Sequence, residues 1–219
     1  NYRILHTATP TAATLPKNQG IAIILHKDIA ATLHPNSPST IITPYRTLAL
    51  QFAPPPGRHT WFLVGTYLPT TAHQPTQQAL LAHITQTLTH NKGNTYYALV
   101  GDVNDIDSGL DSDNPQRPII EQGITTQLHD TPLLDAYRHT HEERQEFTFR
   151  HSASNYFSRI DRIYLSANWF THHHQQPVVS GIDTYGSLFT TLKADHRSTY
   201  CILPQPWLST AAHPHTPST

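Results

Sequence analysis

Residues 95–104 read TYYALVGDVN, an apolar run that ends in two polar side chains. The length of the run and its aromatic and β-branched residues predict a strand, and its apolar character on both faces predicts a sheet that is covered on each side. Tyr96, Ala98, Val100, Asp102 and Asn104 share one parity, so Asp102 and Asn104 should leave the strand on the same face. Such a carboxylate can accept the proton of a water molecule whose direction the carboxamide fixes.

Other segments have the length and periodicity of regular elements. Further strands are predicted at residues 20–25 (buried on both faces), Ile41–Phe52 with a break at Pro44, Thr60–Leu68, Ile160–Leu165 and Thr199–Leu203. The three- and four-residue spacing of Leu80, Leu81, Ile84 and Leu88 predicts a helix from about Pro75 to His90. Thr76 could cap that helix and residues 91–93 could end it, while a shorter helix is predicted near Leu133–Arg138. This mixture predicts a layered α/β or α+β domain.

Composition excludes several classes of protein. The chain has 14 Lys and Arg against 15 Asp and Glu, so its net charge of -1 does not suit binding of nucleic acid by bulk charge. A single cysteine, Cys201, excludes a disulfide framework and a multi-cysteine zinc site. No apolar run approaches the ~18 residues of a membrane-spanning helix. Because the chain has no methionine, we expect a piece of a longer protein, with one domain over residues 1–207 and a disordered tail or linker over 208–219.

The acidic residues are concentrated in one part of the chain. Twelve of the 15 lie between positions 101 and 161, which fits either a solvated acidic loop or a site for a hard divalent cation. The EF-hand, P-loop, dinucleotide-binding, H-E-x-x-H and G-x-S-x-G motifs are all absent from the sequence. The adjacent histidines 172–174 cannot all face one ion, so they predict a solvated loop.

Two more phrases place ionisable residues at strand ends. In SRIDRI, residues 158–163, Asp161 lies inside an otherwise apolar strand, and a buried carboxylate needs a partner. In ADH, residues 194–196, a carboxylate and an imidazole share one loop. Asp161 could pair with His196, fixing the tautomer of the imidazole and raising its pKa, or with one of the two arginines of its own phrase.

In this order, the three phrases resemble the endonuclease/exonuclease/phosphatase superfamily of metal-dependent phosphodiesterases, where they read G-D-x-N, S-x-I-D-x-I and S-D-H. Other similar stretches are GIAI, GTYLP, LDAYR and EFTF, at residues 20–23, 65–69, 134–138 and 146–149. The last, followed by Ser158–Asp161, is closest to the endonuclease domains of LINE-type (non-LTR) retrotransposons. The resemblance covers about residues 18–203.

The resemblance implies a fold and a set of catalytic roles. The fold would be an α+β four-layer sandwich of two packed mixed β-sheets flanked by helices, here without the family's N-terminal strands. By resemblance, Asp102 would activate a water that Asn104 orients. His196, oriented by Asp161, would stabilise charge on the phosphoryl oxygens. The family's upstream asparagine and its Q-E-T glutamate, a principal metal ligand, have no counterpart here, and Ala194 replaces a serine.

The resemblance also implies a cofactor, a substrate and a context. Asp195 would help to bind Mg²⁺, with Mn²⁺ as the other candidate, Tyr67 would contact the scissile phosphate, and Thr148 would line the groove. The substrate would be DNA, nicked to leave a 3′-hydroxyl that primes reverse transcription, inside the cell and in the nucleus. A reverse-transcriptase domain would follow in the full protein. Two alternatives stay open: a phosphodiesterase or phosphatase with another substrate, and a decayed, non-catalytic domain.

Overall fold

The computed structural model describes residues 1–7, 20–35, 40–43, 46–53, 59–70, 73–89, 95–115, 133–172, 179–183 and 194–203. The strands are β1 Tyr2–His6, β2 Ala22–His26, β3 Thr40–Thr43, β4 Thr47–Phe52, β5 Thr60–Tyr67, β6 Thr95–Asp102, β7 Leu133–Asp135, β8 Phe149–Arg150, β9 Phe157–Ser158, β10 Asp161–Ser166, β11 Val179–Ile182 and β12 Thr199–Ile202. The helices are α1 Lys27–Ala30, α2 Gln74–Thr89, α3 Ala136–Thr140 and α4 Ala167–His172, with a 3₁₀ turn at Gly109–Asp111.

A mixed six-stranded sheet forms the centre of the molecule, in the order β3-β4-β5-β6-β10-β7. Strands β5 and β6 are parallel, and α2 connects them along the chain. The other neighbouring strands are antiparallel. Apolar side chains on β4, β5 and β6 are buried on both faces, as the sequence predicts for a sheet that is covered on each side.

Helix α2 covers one face of this sheet. Its four periodic apolar residues are at most 6 % exposed and pack on Val64 of β5, Leu99 of β6 and Tyr164 of β10. The helical prediction is therefore confirmed. The helix begins at Gln74, so Thr76 lies inside its first turn and does not cap it, while residues 91–93 lie outside the described part of the chain.

Short antiparallel pairs of strands cover the other face. Side chains of the β1–β2 and β11–β12 pairs pack with central-sheet residues in a second core. Leu5, Ile23 and Cys201 are among the residues that contribute from these pairs. Contact is close enough that a Cβ on Gly65 of β5 would lie 3.1 Å from the Ile21 side chain. The predicted α+β class, with strands packed on strands, is confirmed.

Two local predictions need correction. Strand β2 is not buried on both faces, since Ile24 is 63 % exposed on the side of the β1–β2 pair that faces away from the central sheet. The segment that begins at Leu133 starts as strand β7, and the helix begins only at Ala136. The side chain of Asp135 accepts hydrogen bonds from the backbone N–H groups of Tyr137 and Arg138, in the first turn of α3, and sets this boundary.

The predicted tail, residues 208–219, lies outside the described residues. Within the described part of the chain, no helix has the length and apolar character that crossing a membrane requires.

Candidate active site

Strand register brings three of the predicted site residues together. Asp102 of β6 is the register partner of Tyr67 on the parallel strand β5 and of Asp161 on the antiparallel strand β10. Register partners project from the same face of a sheet. Two residues earlier on β6, Val100 lies on the face that packs against the short strand pairs. The three polar side chains therefore lie at one end of the core between the two β layers.

Asn104 reaches Asp102 by a turn, rather than by continuing the strand as the parity argument assumed. Strand β6 ends at Asp102, and Asn104 has a φ of 51°, in the left-handed region that asparagine tolerates. Its backbone N–H donates to Asp102 Oδ1 at 2.8 Å, and its Nδ2 donates to Asp102 Oδ2 at 3.2 Å and to the Leu68 carbonyl at 2.8 Å. The predicted carboxylate and carboxamide thus form one rigid pair.

The predicted pairing of Asp161 with His196 is present. His196 Nδ1 lies 2.8 Å from Asp161 Oδ2, and the imidazole ring packs against Phe149 with 4.7 Å between centroids. The hydrogen bond to Asp161, followed by the negative charges of Asp161, Asp102 and Asp195, raises the pKa of His196 above its usual value against the opposing effect of burial. The arginines beside Asp161 bind other carboxylates, which removes the alternative left open by the sequence.

Asp102 is a stronger base than an ordinary carboxylate. Burial, together with the nearby charge of Asp161, raises its pKa from 3.8 to about 6, and the hydrogen bonds from Asn104 and the charge of His196 only partly oppose this. The group is therefore mainly ionised at neutral pH and remains basic enough to accept a proton.

A divalent cation has a suitable set of donors here. Among the described residues, ligand atoms of Asp102, Asp161 and His196 all lie within 4.8 Å of one another. Two carboxylates and an imidazole fit Mn²⁺ well, and the carboxylates alone fit Mg²⁺. Asp195 is exposed and lies outside this group, so its proposed role as a ligand rests on the resemblance.

Thr148 has a different position from the one expected for a groove residue. Its side chain is fully buried, and its hydroxyl accepts hydrogen bonds from the backbone N–H groups of Ile160 and Asp161, both at 3.0 Å. Thr148 therefore fixes the start of the strand that carries Asp161, and its burial does not fit direct contact with a substrate.

Arg46, beside Tyr67, was not suggested by the sequence. Its guanidinium carbon lies 4.8 Å from the centroid of the Tyr67 ring, and its carbonyl accepts the Tyr67 backbone N–H at 2.9 Å. This adds a positive charge next to a residue that we expect to contact phosphate. No local pattern marks Arg46, because its place depends on the pairing of β4 with β5.

Buried ion pairs account for part of the acidic cluster. Asp107, Asp111 and Asp135 pair with Arg138, Arg159 and Arg162, and both Arg159 and Arg162 are about 1 % exposed. The positive charges around Asp111 hold the pKa of that carboxyl far below its usual range, against the opposing effect of burial. For these three acids, neither a solvated loop nor a metal cluster is the right explanation. Pairing depends on distant arginines, so the acidic composition alone could not reveal it.

Comparison with known proteins identifies the fold. No family model and no curated protein matches the chain by sequence. An AP endonuclease from Archaeoglobus fulgidus is similar in structure, with a TM-score of 0.64 and 14 % identity over 92 % of this chain and 79 % of that one. The AP endonuclease LMAP from Leishmania major has a TM-score of 0.60 and 15 % identity, over 90 % of this chain and 69 % of that one. A truncated Caenorhabditis elegans TDP2 has a TM-score of 0.57 and 16 % identity, over 91 % of this chain and 74 % of that one. The chain therefore has the endonuclease/exonuclease/phosphatase fold.

Proposed function

We propose that this chain is a metal-dependent DNA endonuclease, a phosphodiesterase that nicks target DNA and leaves a 3′-hydroxyl. One observation carries the proposal: Asp102 with Asn104, and Asp161 with His196, meet at the ends of neighbouring strands of this fold. A base with an orienting amide, next to an imidazole that is held by a carboxylate, is what phosphodiester hydrolysis requires. The likeness in fold to two AP endonucleases supports the same class of reaction.

Asp102 acts on the attacking water in this proposal. Its carboxylate, with a pKa of about 6, accepts a proton from the water near neutral pH. The two hydrogen bonds from Asn104 fix the orientation of the carboxylate, and the third, to the Leu68 carbonyl, fixes the amide itself. The base is therefore oriented before the substrate binds.

His196 acts on the phosphoryl oxygens. Because Asp161 engages Nδ1, the second ring nitrogen, Nε2, can donate to an oxygen that gains negative charge in the transition state. The raised pKa keeps a larger fraction of the ring protonated near neutral pH. On the adjacent strand, Tyr67 would contact the scissile phosphate beside the guanidinium of Arg46.

A divalent ion, Mg²⁺ or Mn²⁺, would be held next to the base Asp102 by the carboxylate of Asp161, together with Asp195, whose role as a ligand the resemblance implies. When bound, it would supply Lewis-acid stabilisation of the phosphate charge and orient the substrate. Since the sequence has no counterpart of the family's Q-E-T glutamate, which is a principal metal ligand there, we expect these 219 residues alone to cleave DNA poorly or not at all.

Within this function, we assign the chain to the polyprotein of a LINE-type retrotransposon, followed by a reverse-transcriptase domain and acting in the nucleus. The phrase EFTF at residues 146–149, close before SRID, supports this context. A nick with a 3′-hydroxyl would then serve as the primer for reverse transcription.

Nicking of supercoiled plasmid DNA by the full-length protein tests the proposal. Cleavage should require Mg²⁺ or Mn²⁺ and stop with a chelator, and a DNA polymerase should extend the nicks without prior end repair. Asp102→Ala and His196→Ala should each lower the rate by about 10²–10⁴ while the protein stays folded. Asp28→Ala, which removes an exposed carboxylate from α1, is the matched control and should cleave like the parent.

Two results would contradict the proposal. Cleavage of a small phosphodiester such as bis(p-nitrophenyl) phosphate, without cleavage of DNA, would favour another substrate class. Absence of cleavage of either substrate by the folded full-length protein would favour a non-catalytic domain.

A further inference from the structure

Arg162 lies next to Asp161 in β10 but projects from the opposite face of the sheet. Its side chain is 1 % exposed, and three carboxylates surround it. Nη1 lies 2.6 Å from Asp107 Oδ2 and 3.3 Å from Asp135 Oδ2, while Nη2 lies 3.1 Å from Asp111 Oδ2. A guanidinium bound in this way is fixed in both position and orientation.

A fourth contact of Arg162 reaches the candidate active site. Nη2 also donates to the backbone carbonyl of Asp105 at 3.2 Å, and Asp105 directly follows Asn104. On the other side of Asn104, the backbone N–H of Val103 donates to the Ile160 carbonyl at 2.8 Å. The turn that carries Asn104 is therefore attached on both sides of Asn104, once through the backbone to Ile160, directly before β10, and once through Arg162 of β10.

This attachment matters because the turn is conformationally demanding. Asn104 has a positive φ, and its side chain must reach both Asp102 and the Leu68 carbonyl. A small rotation about the backbone after Asn104 would misalign the amide and the carboxylate that it orients. Misplacement by about 1 Å in a catalytic site can cost about 10²-fold in rate.

We propose that Arg162 is a positioning residue, which holds the Asp102–Asn104 pair in its working geometry relative to Asp161 through the Asp105 carbonyl. Its effect on catalysis rests on the proposed function, whereas its effect on the turn does not. The three carboxylates hold the guanidinium, and the guanidinium holds the turn. Arginine suits this task because its planar fork binds several acceptors at once, which the single ammonium group of lysine cannot reproduce.

Arg159 offers a matched control. It is equally buried and belongs to the same ion-pair cluster, and it lies two residues before Asp161. Within the described residues, its guanidinium pairs with Asp111 and Asp135 rather than with the turn. Arg159→Lys and Arg162→Lys therefore make the same chemical change in one buried cluster, but only the second removes the contact with Asp105.

The test combines amide hydrogen exchange with steady-state kinetics on the full-length protein. The Asn104 N–H, which donates to Asp102, should exchange at least tenfold faster in Arg162→Lys than in the parent, relative to the Leu99 N–H in the core of β6. In Arg159→Lys, this ratio should stay within twofold of the parent. Plasmid nicking by Arg162→Lys should show kcat lowered by about 10²-fold with KM within threefold, and Arg159→Lys should keep kcat within fivefold.

The exchange measurement stands even if the parent protein does not cleave DNA, so failure of the proposed function and failure of this inference can be told apart. Equal exchange ratios for Asn104 in the two variants would show that the cluster serves general stability only, and would overturn the inference. If Arg162→Lys does not fold, Asp107→Asn replaces it, since Asp107 makes the shortest contact with Arg162. The same selective change at Asn104 is expected there, and an unchanged ratio overturns the inference.

Discussion

Replacing Asp102 by asparagine should make the folded protein more stable while it removes activity. The carboxylate of Asp102 is largely buried and close to Asp161, and these two causes raise its pKa from 3.8 to about 6. Between about pH 4 and 6, the folded state therefore keeps the proton on Asp102, whereas the unfolded chain has lost it. Stability therefore falls as the pH rises through this range, and the ionised carboxylate destabilises the folded protein above it.

The size of this effect follows from the two pKa values. Each tenfold change in proton affinity corresponds to about 1.4 kcal/mol. The ionised carboxylate of Asp102 therefore lowers the free energy of unfolding by up to about 3 kcal/mol at pH 8. Asparagine avoids this cost but cannot accept from both Asn104 donors, and a lost hydrogen bond is worth about 1 kcal/mol. We expect a net gain of about 1–2 kcal/mol at pH 8 and none at pH 4, where the folded parent is already protonated at this position.

Thermal unfolding at the two pH values measures the effect. For a chain of this size, the gain corresponds to a rise in Tm of about 3–6 °C at pH 8. Asp28→Asn, which neutralises an exposed carboxylate, should leave Tm nearly unchanged at both pH values. Plasmid nicking by Asp102→Asn should fall by about 10²–10⁴ in rate. A change in Tm that is the same at pH 4 and pH 8, or a loss of stability at pH 8, would refute the reasoning.

Three further predictions concern the pKa of His196, the backbone at Gly101 and the buried ion pairs of Asp111. In Asp161→Asn, NMR titration without metal should show the pKa of His196 shifted down toward its ordinary value, because the variant loses the carboxylate whose hydrogen bond and charge raise that pKa. An unchanged pKa of His196 would rule out the pairing. Gly101→Ala should lower the free energy of unfolding in urea by about 3 kcal/mol, because the φ of Gly101 is +146° and the new Cβ would lie 1.8 Å from a β5 carbonyl oxygen. Gly65→Ala is the control and should lower it less, because its new Cβ meets only side chains, which can move. Asp111→Asn should cost about 3–5 kcal/mol at pH 7, because the buried guanidinium groups of Arg159 and Arg162 then share one carboxylate fewer. Because the pKa of Asp111 is depressed in the folded state, the difference between parent and variant should narrow as the pH falls below about 4, and equal stabilities at pH 7 would contradict the role of the cluster.

The sequence predicted those parts of the site that depend on strand ends and on the cost of burying charge, whereas the parity argument was wrong for Asn104, which follows a turn. Asp102 and Asp161 each lie at one end of an apolar run, and the register of β6 with β10 sets them side by side. Pairing of Asp161 with His196 was likewise expected, because a carboxylate in an apolar strand requires a partner. These inferences succeed because they need only local periodicity and the cost of burying charge.

Contacts between segments far apart in the chain could not be predicted in the same way. Asp111 and Arg162 are separated by 51 positions, so no local periodicity links them. The buried position of Thr148 also depends on where residues 158–161 pass beneath it. In each case the side chain alone allows several partners, and only the tertiary arrangement selects one.

Opposite electrostatic environments on the two faces of β10 give the protein a pH dependence of its own. On the site face, the raised pKa values of Asp102 and His196 both favour the folded state at lower pH, so their contributions weaken as the pH rises through those values. On the other face, the depressed pKa of Asp111 means that its ion pairs contribute fully above about pH 4 and are lost below it. The combined contribution of these groups should therefore be greatest near pH 4 and should fall as the pH rises from there through about 6. Asp161 and Arg162 are neighbours in the chain and project from opposite faces of β10. The ion-pair cluster around Arg162, which favours folding, therefore lies directly behind the carboxylates of Asp102 and Asp161, whose mutual repulsion opposes folding. At the pH at which these carboxylates would catalyse, the cluster can offset that repulsion.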